Sequence, residues 1–254
     1  VEPVYRSVIG IARVVFASQG LKFKVEGEEN IPATGGAVVA VNHTGYMDFT
    51  YAGLPPRSVK RYIRFMAKKE VFDNKISGPI MRSLKHIPVD RGAGAESYAA
   101  AVSALRRGEL VGVYPEATIS RSFEIKEFKS GAARMAIEAG VPIIPTVIWG
   151  AQRVWTKGFP KRLGRTNTPV SIAVGKPIDP VGPPSELTAK LHTTMQEMLL
   201  ALQEGYEHTP GAYWVPARLG GSAPTLEEAD KLDSEDAAAR TAAKAAAREA
   251  KKQG

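Results

Sequence analysis

Apolar residues up to about position 205 fall into short runs that alternate between two spacings. Ala37–Val41 is small and β-branched and ends at a polar turn, which predicts a buried strand. Leu110–Tyr114 and Val170–Val174 have the same character. Pro142–Trp149 is a fourth apolar run, and its prolines at 142 and 145 place it near a sheet edge or a bulge. Between these runs the spacing becomes helical. Glu96–Arg107 is closed by Gly108, and Gly131–Ala139 by Gly140. Ser185–Gln203 sets Leu187, Leu191, Met195, Met198, Leu199 and Leu202 on one face. Such alternation predicts an α/β layer fold, with a mixed sheet flanked by helices.

The two ends differ from this body. Val4–Phe16 is apolar at helical spacing, with Arg6 and Arg13 among its residues. It is too short to span a bilayer, which takes roughly 18 or more apolar residues. Two readings stay open for it, a helix packed on the body and a helix lying in a membrane interface. Pro224–Lys252 is rich in Ala and charge and poor in large apolar side chains, so it is a solvated helix or a partly disordered arm. Thr225 and Glu228 have the spacing of a capping box at its start. The chain thus divides into an amphipathic helix at 1–22, a body at 23–220 and a charged tail at 221–254.

Composition narrows the function classes. Hydrophobic residues are 44% and charged residues 24% of 254, which argues against wholesale disorder, a fibre and a multi-spanning membrane protein. The absence of Cys removes disulfides, thiolate metal sites and Cys nucleophiles. The four His show no zinc spacing with Asp or Glu, so no metal and no cofactor is expected. The net charge is +8, and the tail contributes six Lys/Arg against seven Asp/Glu, a net of −1. The body therefore carries +8 − (−1) = +9, which calls for an anionic partner. Arg57, Lys60, Arg61, Arg64, Lys68 and Lys69 interleave with Tyr62, Ile63, Phe65 and Met66. That mixture suits an anionic membrane surface; the plainer reading is a solvated basic edge. Lys129, Lys157, Lys161, Arg162 and Arg165 add further positive charge.

Four segments carry candidate chemistry. In Asn42-His43-Thr44-Gly45-Tyr46-Met47-Asp48 a His follows a strand, and an Asp follows it five residues later. A carboxylate at that spacing can turn back onto one imidazole nitrogen and leave the other as a general base. The plainer reading is a capping Asp beside an unrelated loop His. Arg91 ends the extended run Ile87-Pro88-Val89-Asp90-Arg91 and can present a fork to phosphate. Tyr114-Pro115-Glu116-Ala117-Thr118-Ile119-Ser120-Arg121-Ser122 offers a carboxylate, hydroxyls and an Arg after a strand, a mixture that suits a polyol phosphate. Val141-Pro142-Ile143-Ile144-Pro145 reads as a core strand or the wall of an apolar groove.

In this order and spacing the four segments resemble the glycerolipid acyltransferases of the lysophosphatidic acid acyltransferase (PlsC) type. That family shows His-x4-Asp, a segment ending in Asp-Arg, Pro-Glu-Gly-Thr-Arg-Ser, and Val-Pro-Ile-x-Pro. The resemblance covers about Val25 to Ile178 and includes the patches around Ala67-Lys68-Lys69 and Phe128-Lys129-Ser130. It implies a glycerol-phosphate acyltransferase-like fold and acyl transfer from acyl-CoA or acyl carrier protein to lysophosphatidic acid or a related phosphorylated glycerol lipid. His43 is then the general base and Asp48 its orienting partner. Arg91, Glu116, Thr118, Arg121, Lys68 and Lys129 fall among the substrate-binding positions, and Val141, Pro142, Ile143 and Pro145 on the acyl-site wall. The place implied is the cytoplasm, peripheral on the inner face of the cell membrane, with no nucleic acid as partner. The chain departs from the family at Ala117, where Gly is usual, and at Ile119, where Arg is usual. The first alternative is therefore an acyltransferase with another acceptor, such as a lipid glycoside. A lipid-binding or nucleic-acid-binding protein without catalysis ranks below it.

Overall fold

The computed structural model describes residues 2–90 and 94–253. Among the described residues seven strands form one sheet: β1 (Lys22–Glu26), β2 (Ala37–Val41), β3 (Ile63–Lys68), β4 (Ile87–Val89), β5 (Leu110–Val113), β6 (Ile143–Trp149) and β7 (Pro169–Val174). Their order is β1-β7-β6-β2-β5-β3-β4. The α-helices are α1 (Pro3–Ser18), α2 (Asp48–Ala52), α3 (Lys69–Asp73), α4 (Ser77–Ser83), α5 (Gly94–Arg106), α6 (Gly131–Ala139), α7 (Pro184–Glu204) and α8 (Leu226–Gln253). This is the mixed α/β architecture that the alternating pattern predicts.

Strands β2 to β6 run parallel, β7 is antiparallel to β6, and β1 is parallel to β7. Every residue of β2, β5 and β6 is buried, as both faces of a parallel sheet must be. Helices α6 and α7 pack on β6, and α6 also packs on β2. The chain leaves β2 past β5 toward β3 and leaves β5 past β2 toward β6, so the two exits run in opposite directions at the β2–β5 pair. A crevice opens at the C-terminal ends of strands where the connections part in this way.

The prolines of the fourth segment sit elsewhere than at an edge. β6 is interior, paired with β2 on one side and β7 on the other. Thr146 faces Val174, whereas Ile143 faces Ile178, so three steps along β6 oppose four on the partner. Pro145 lies at this bulge, and its carbonyl accepts from Gly175 N at 2.8 Å. The missing N–H thus falls where the ladder is already interrupted.

The basic run at 57–69 is also reassigned in part. Arg64 is buried in β3 and donates to Glu2 (2.7 Å), Glu109 (3.0 Å) and the Leu84 carbonyl (3.1 Å). Arg61 donates to the carbonyls of Pro32 and Gly108. Two of the six cations are therefore internal fasteners rather than surface charge. Glu2 and the Tyr5 hydroxyl, which donates to Ile63 O at 2.8 Å, dock α1 on β3.

The chain forms two compact units. One comprises Val1–Ile119 and Ile125–Glu207, and the other Ser120–Glu124 and His208–Gly254. The second unit thus takes residues 120–124, a short piece of the third segment, together with the chain from His208 onward. Within that second unit α8 opens on the expected capping box. Thr225 N donates to Glu228 Oε2 (2.8 Å), and Glu228 N donates to Thr225 Oγ1 (3.2 Å). Among the described residues no helix is long and apolar enough to cross a membrane.

Arg64→Met should lower unfolding stability by about 2–4 kcal/mol, because it strands two carboxylates and a carbonyl around an apolar side chain. Urea denaturation of the two proteins measures the difference; a loss below about 0.5 kcal/mol would show that the cluster is solvent-compensated.

Candidate active site

β2 ends against β6 in a way that aims the next residue outward. Asn42 continues the ladder with its side chain: Nδ2 donates to Ile148 O (3.0 Å), and Oδ1 accepts from Ile148 N (2.7 Å). His43 follows at the mouth of the crevice. Asp48 opens α2 and is fully buried. Its Oδ2 takes three contacts: His43 Nδ1 at 3.0 Å, Thr44 N at 2.8 Å and Gly45 N at 2.9 Å. Charge-assisted hydrogen bonds of this number offset the desolvation of a buried carboxylate. They also hold the Nδ1–H tautomer and leave Nε2 of His43 as the proton acceptor. Gly45 has to be glycine here, since a Cβ would meet Trp155 O at 2.9 Å.

β5 supplies the other side. Tyr114 stacks under the His43 ring at 4.0 Å, with 17° between the planes. Glu116 is buried and fastens the His43–Asp48 turn from behind. Its Oε1 accepts from His43 N (2.8 Å) and its Oε2 from Lys126 N (3.2 Å). Burial pushes its carboxyl up to about 8, against the opposing hydrogen bonds from the N–H groups of His43 and Lys126. Glu116 therefore acts on the His43 backbone and does not line the cavity.

That cavity measures about 630 Å³. It runs along the C-terminal edge of the sheet from His43 past Tyr114, Met66 and Ala67 to Val89. Crossing from β2 to β4 takes three strand steps, about 14 Å at the usual strand spacing. Phe49, Phe65, Val71, Met81, Ala132 and Met135 make its wall apolar. His86 also lines it and stays neutral above a pKa of about 4, because burial and then Arg64 hold its imidazolium down. Its Nδ1 accepts from Phe65 N at 3.0 Å. Among the described residues, Lys68 and Lys129 are the lysines on the lining.

Other expected residues lie elsewhere. Val141, Pro142, Ile143 and Pro145 do not line the cavity; they belong to the packed strand β6 and its approach. Thr118 is exposed and accepts from Lys126 Nζ at 3.1 Å. Ala117 lines the cavity and has φ 61°, so it keeps the left-handed backbone for which the family's Gly is suited. Ile119, at the family's Arg position, is buried. Arg121 belongs to the second unit, where it pairs with Asp233 (3.1 Å) and Asp236 of α8. The guanidinium offered to a phosphate is thus already matched by carboxylates. Arg91 lies outside the described residues. Sequence reasoning missed the stacking role of Tyr114; its place at the end of β5, two residues before Glu116, is the signal that marks it.

Comparison with known proteins agrees with this geometry. A family model described as Acyltransferase matches residues 22–149. A 1-acyl-sn-glycerol-3-phosphate acyltransferase of Bacillus subtilis is 33% identical over 149 residues, 58% of this chain and 72% of that protein. The chain belongs to this acyltransferase family. The enzyme is also 28% identical over 146 residues to a protein of the same name from Borreliella burgdorferi, covering 55% of this chain and 56% of that one. The crystal structure of the 1-acyl-sn-glycerophosphate (LPA) acyltransferase PlsC from Thermotoga maritima shares the fold. Its TM-score is 0.65 at 24% identity, over 80% of this chain and 81% of the other.

The raised Glu116 carboxyl fixes the sign of a pH effect. Its usual value is 4.5 and its folded value is about 8, so the fold holds the extra proton between them. The stability this group contributes is full below about 4.5 and is lost as pH rises through about 8. Urea midpoints taken from pH 4.5 to 8.5 should fall with rising pH, and the slope should flatten in Glu116→Gln. Parallel profiles in the two proteins would show that Glu116 is ionised throughout.

Proposed function

We propose that this O-acyltransferase moves a fatty acyl group from an acyl thioester, acyl-CoA or acyl carrier protein, to a hydroxyl of lysophosphatidic acid or a related phosphorylated glycerol lipid. It does so at a membrane surface, as a step of phospholipid synthesis. The observation that carries the reading is the oriented His43–Asp48 pair opening onto an apolar cavity about 14 Å long. The names of the relatives support the acceptor.

His43 Nε2 takes the proton of the acceptor hydroxyl as that oxygen attacks the thioester carbonyl. The tetrahedral intermediate then collapses: the C–S bond breaks, the ester C–O bond remains, and His43 returns the proton to the departing thiolate. Asp48 keeps the imidazole aligned and stabilises its cationic form. The backbone N–H groups of Thr44 and Gly45 are engaged by Asp48 and belong to the base rather than to an oxyanion hole. The acyl chain lies along the cavity, while Lys68, Lys129 and Arg91 hold the acceptor phosphate. Ile119 in place of Arg, with Arg121 held by α8, favours a second reading in which the acceptor head group differs, as in a lipid glycoside.

His43→Ala and Asp48→Asn should keep the thermal midpoint within a few degrees and lose about 10²–10⁴-fold in turnover. Thiol release during single-acceptor assays measures this, with lysophosphatidate, glycerol 3-phosphate, other lysophospholipids and a lipid glycoside offered separately. Wild-type turnover in either variant would sink the mechanism, and release with the glycoside alone would establish the second reading. Lys129→Ala should raise the acceptor KM about tenfold and leave the donor KM within twofold. Equal changes in both constants would assign Lys129 to the donor or to structure.

A further inference from the structure

The chain between β6 and β7 takes no part in the chemistry above, and its charge is one-sided. Residues 150–168 contain Arg153, Lys157, Lys161, Arg162 and Arg165 and no Asp or Glu. Lys161, Arg162 and Arg165 are exposed, and so is Leu163 at 48%. Lys161 Nζ stands 4.2 Å from the centre of the Trp155 ring. Trp155 in turn packs on Tyr46 at 4.7 Å.

This segment is fastened at both ends. Toward the active site, Trp155 O accepts from Tyr46 N (3.0 Å), and Thr156 Oγ1 donates to Thr44 O (2.7 Å). Both partners lie in the turn between His43 and Asp48. Toward β7, Gln19 O, just past the end of α1, accepts from Thr166 N (2.9 Å) and Asn167 N (3.1 Å). Gln19 Nε2 also donates to Leu163 O at 3.2 Å. Helix α1 buries Tyr5 and Phe16 but leaves Val4, Ile11, Val14 and Val15 exposed, Ile11 at 65% and Val14 at 71%. Its charged residues are Arg6 and Arg13. An apolar helix stripe, a segment of charge +5 with Trp155 and Leu163, and the catalytic turn are therefore one continuous hydrogen-bonded structure.

We propose that residues 153–165, together with the exposed stripe of α1, form the surface by which the enzyme docks on an anionic bilayer and presents the His43–Asp48 turn to the lipid. This rests on the reading that the acceptor is a lipid. Charge and shape select the partner. Each cation near an anionic leaflet strengthens partitioning about fivefold. Trp beside Lys and exposed aliphatic side chains are the groups that settle at a membrane interface. An acidic carrier protein would match the three exposed cations Lys161, Arg162 and Arg165, yet it leaves the aliphatic stripe joined to them unexplained. The surface also replaces the 57–69 run as the basic patch, since Arg61 and Arg64 are used internally.

Flotation of the full chain with vesicles of phosphatidylcholine, alone or mixed with phosphatidylglycerol, tests the proposal. The wild-type protein should bind the mixed vesicles and release them as salt rises. K161E/R162E/R165E should bind them about 100-fold more weakly or worse. It should retain the thermal midpoint and, on a water-soluble short-chain acceptor without vesicles, wild-type turnover. Leu163→Asp should also weaken binding. Wild-type flotation of the triple variant overturns the proposal. A raised KM for an acyl carrier donor with unchanged flotation also overturns it, in favour of donor docking. Flotation is read without acyl transfer, so its failure is distinct from failure of the catalytic assignment.

Discussion

One carboxylate oxygen organises the candidate active site. Asp48 Oδ2 collects the His43 ring and the backbone N–H groups of Thr44 and Gly45 in a fully buried position. That oxygen is satisfied there because three donors converge on it. They converge because β2 leaves its β5 partner after Ala40 and its β6 partner after Val41, and the chain beyond is free to turn. The five-residue spacing then matters physically: it is the length of turn needed to carry α2 back under the imidazole. Any loosening of this turn would misplace the ring nitrogen that faces the cavity.

The second buried carboxylate works differently. Glu116 comes from the end of β5 and holds the same turn through the His43 backbone N–H. Two adjacent strands therefore each contribute an acid, one to the imidazole and one to the main chain behind it. Their surroundings separate their roles. Asp48 has three donors on a single oxygen, whereas Glu116 spreads one N–H over each oxygen, and burial raises its carboxyl. Tyr114, between the two strand ends, closes the site by stacking on the ring. Along the cavity that starts there, burial keeps even His86 neutral above a pKa of about 4, so Lys68 and Lys129 stand out on an otherwise apolar lining.

The departures from the family pattern have local physical consequences. Ala117 adopts the left-handed backbone of the glycine it replaces, so the loop shape survives at some cost in strain. Ile119 is buried and removes a guanidinium from the first unit. Arg121 restores one in sequence but binds Asp233 and Asp236 of α8, and Arg218 similarly pairs with Glu124 at 2.7 Å. The tail is thereby more than a solvated arm: it supplies the counter-charges for residues 120–124.

Sequence pattern alone determined the strand at Ala37–Val41, the helix at Gly131–Ala139, the cap at Thr225 and Glu228, and the His-x4-Asp pair. These depend on periodicity, turn chemistry and short-range spacing, all of which are local. Strand β1 escaped it because its side chains alternate between exposed and half-buried at the sheet edge, and β3 because a buried Arg sits second in it. The partner of Arg64 is set by residues 62 and 45 positions away, and no local pattern encodes such a pairing. Likewise only tertiary structure decided that Glu116 holds a backbone, that the Val-Pro-Ile-x-Pro strand is core, and that Arg121 belongs to α8. The charges were legible from the start. Which of them face solvent, a substrate or one another depends on which distant segments the sheet brings together.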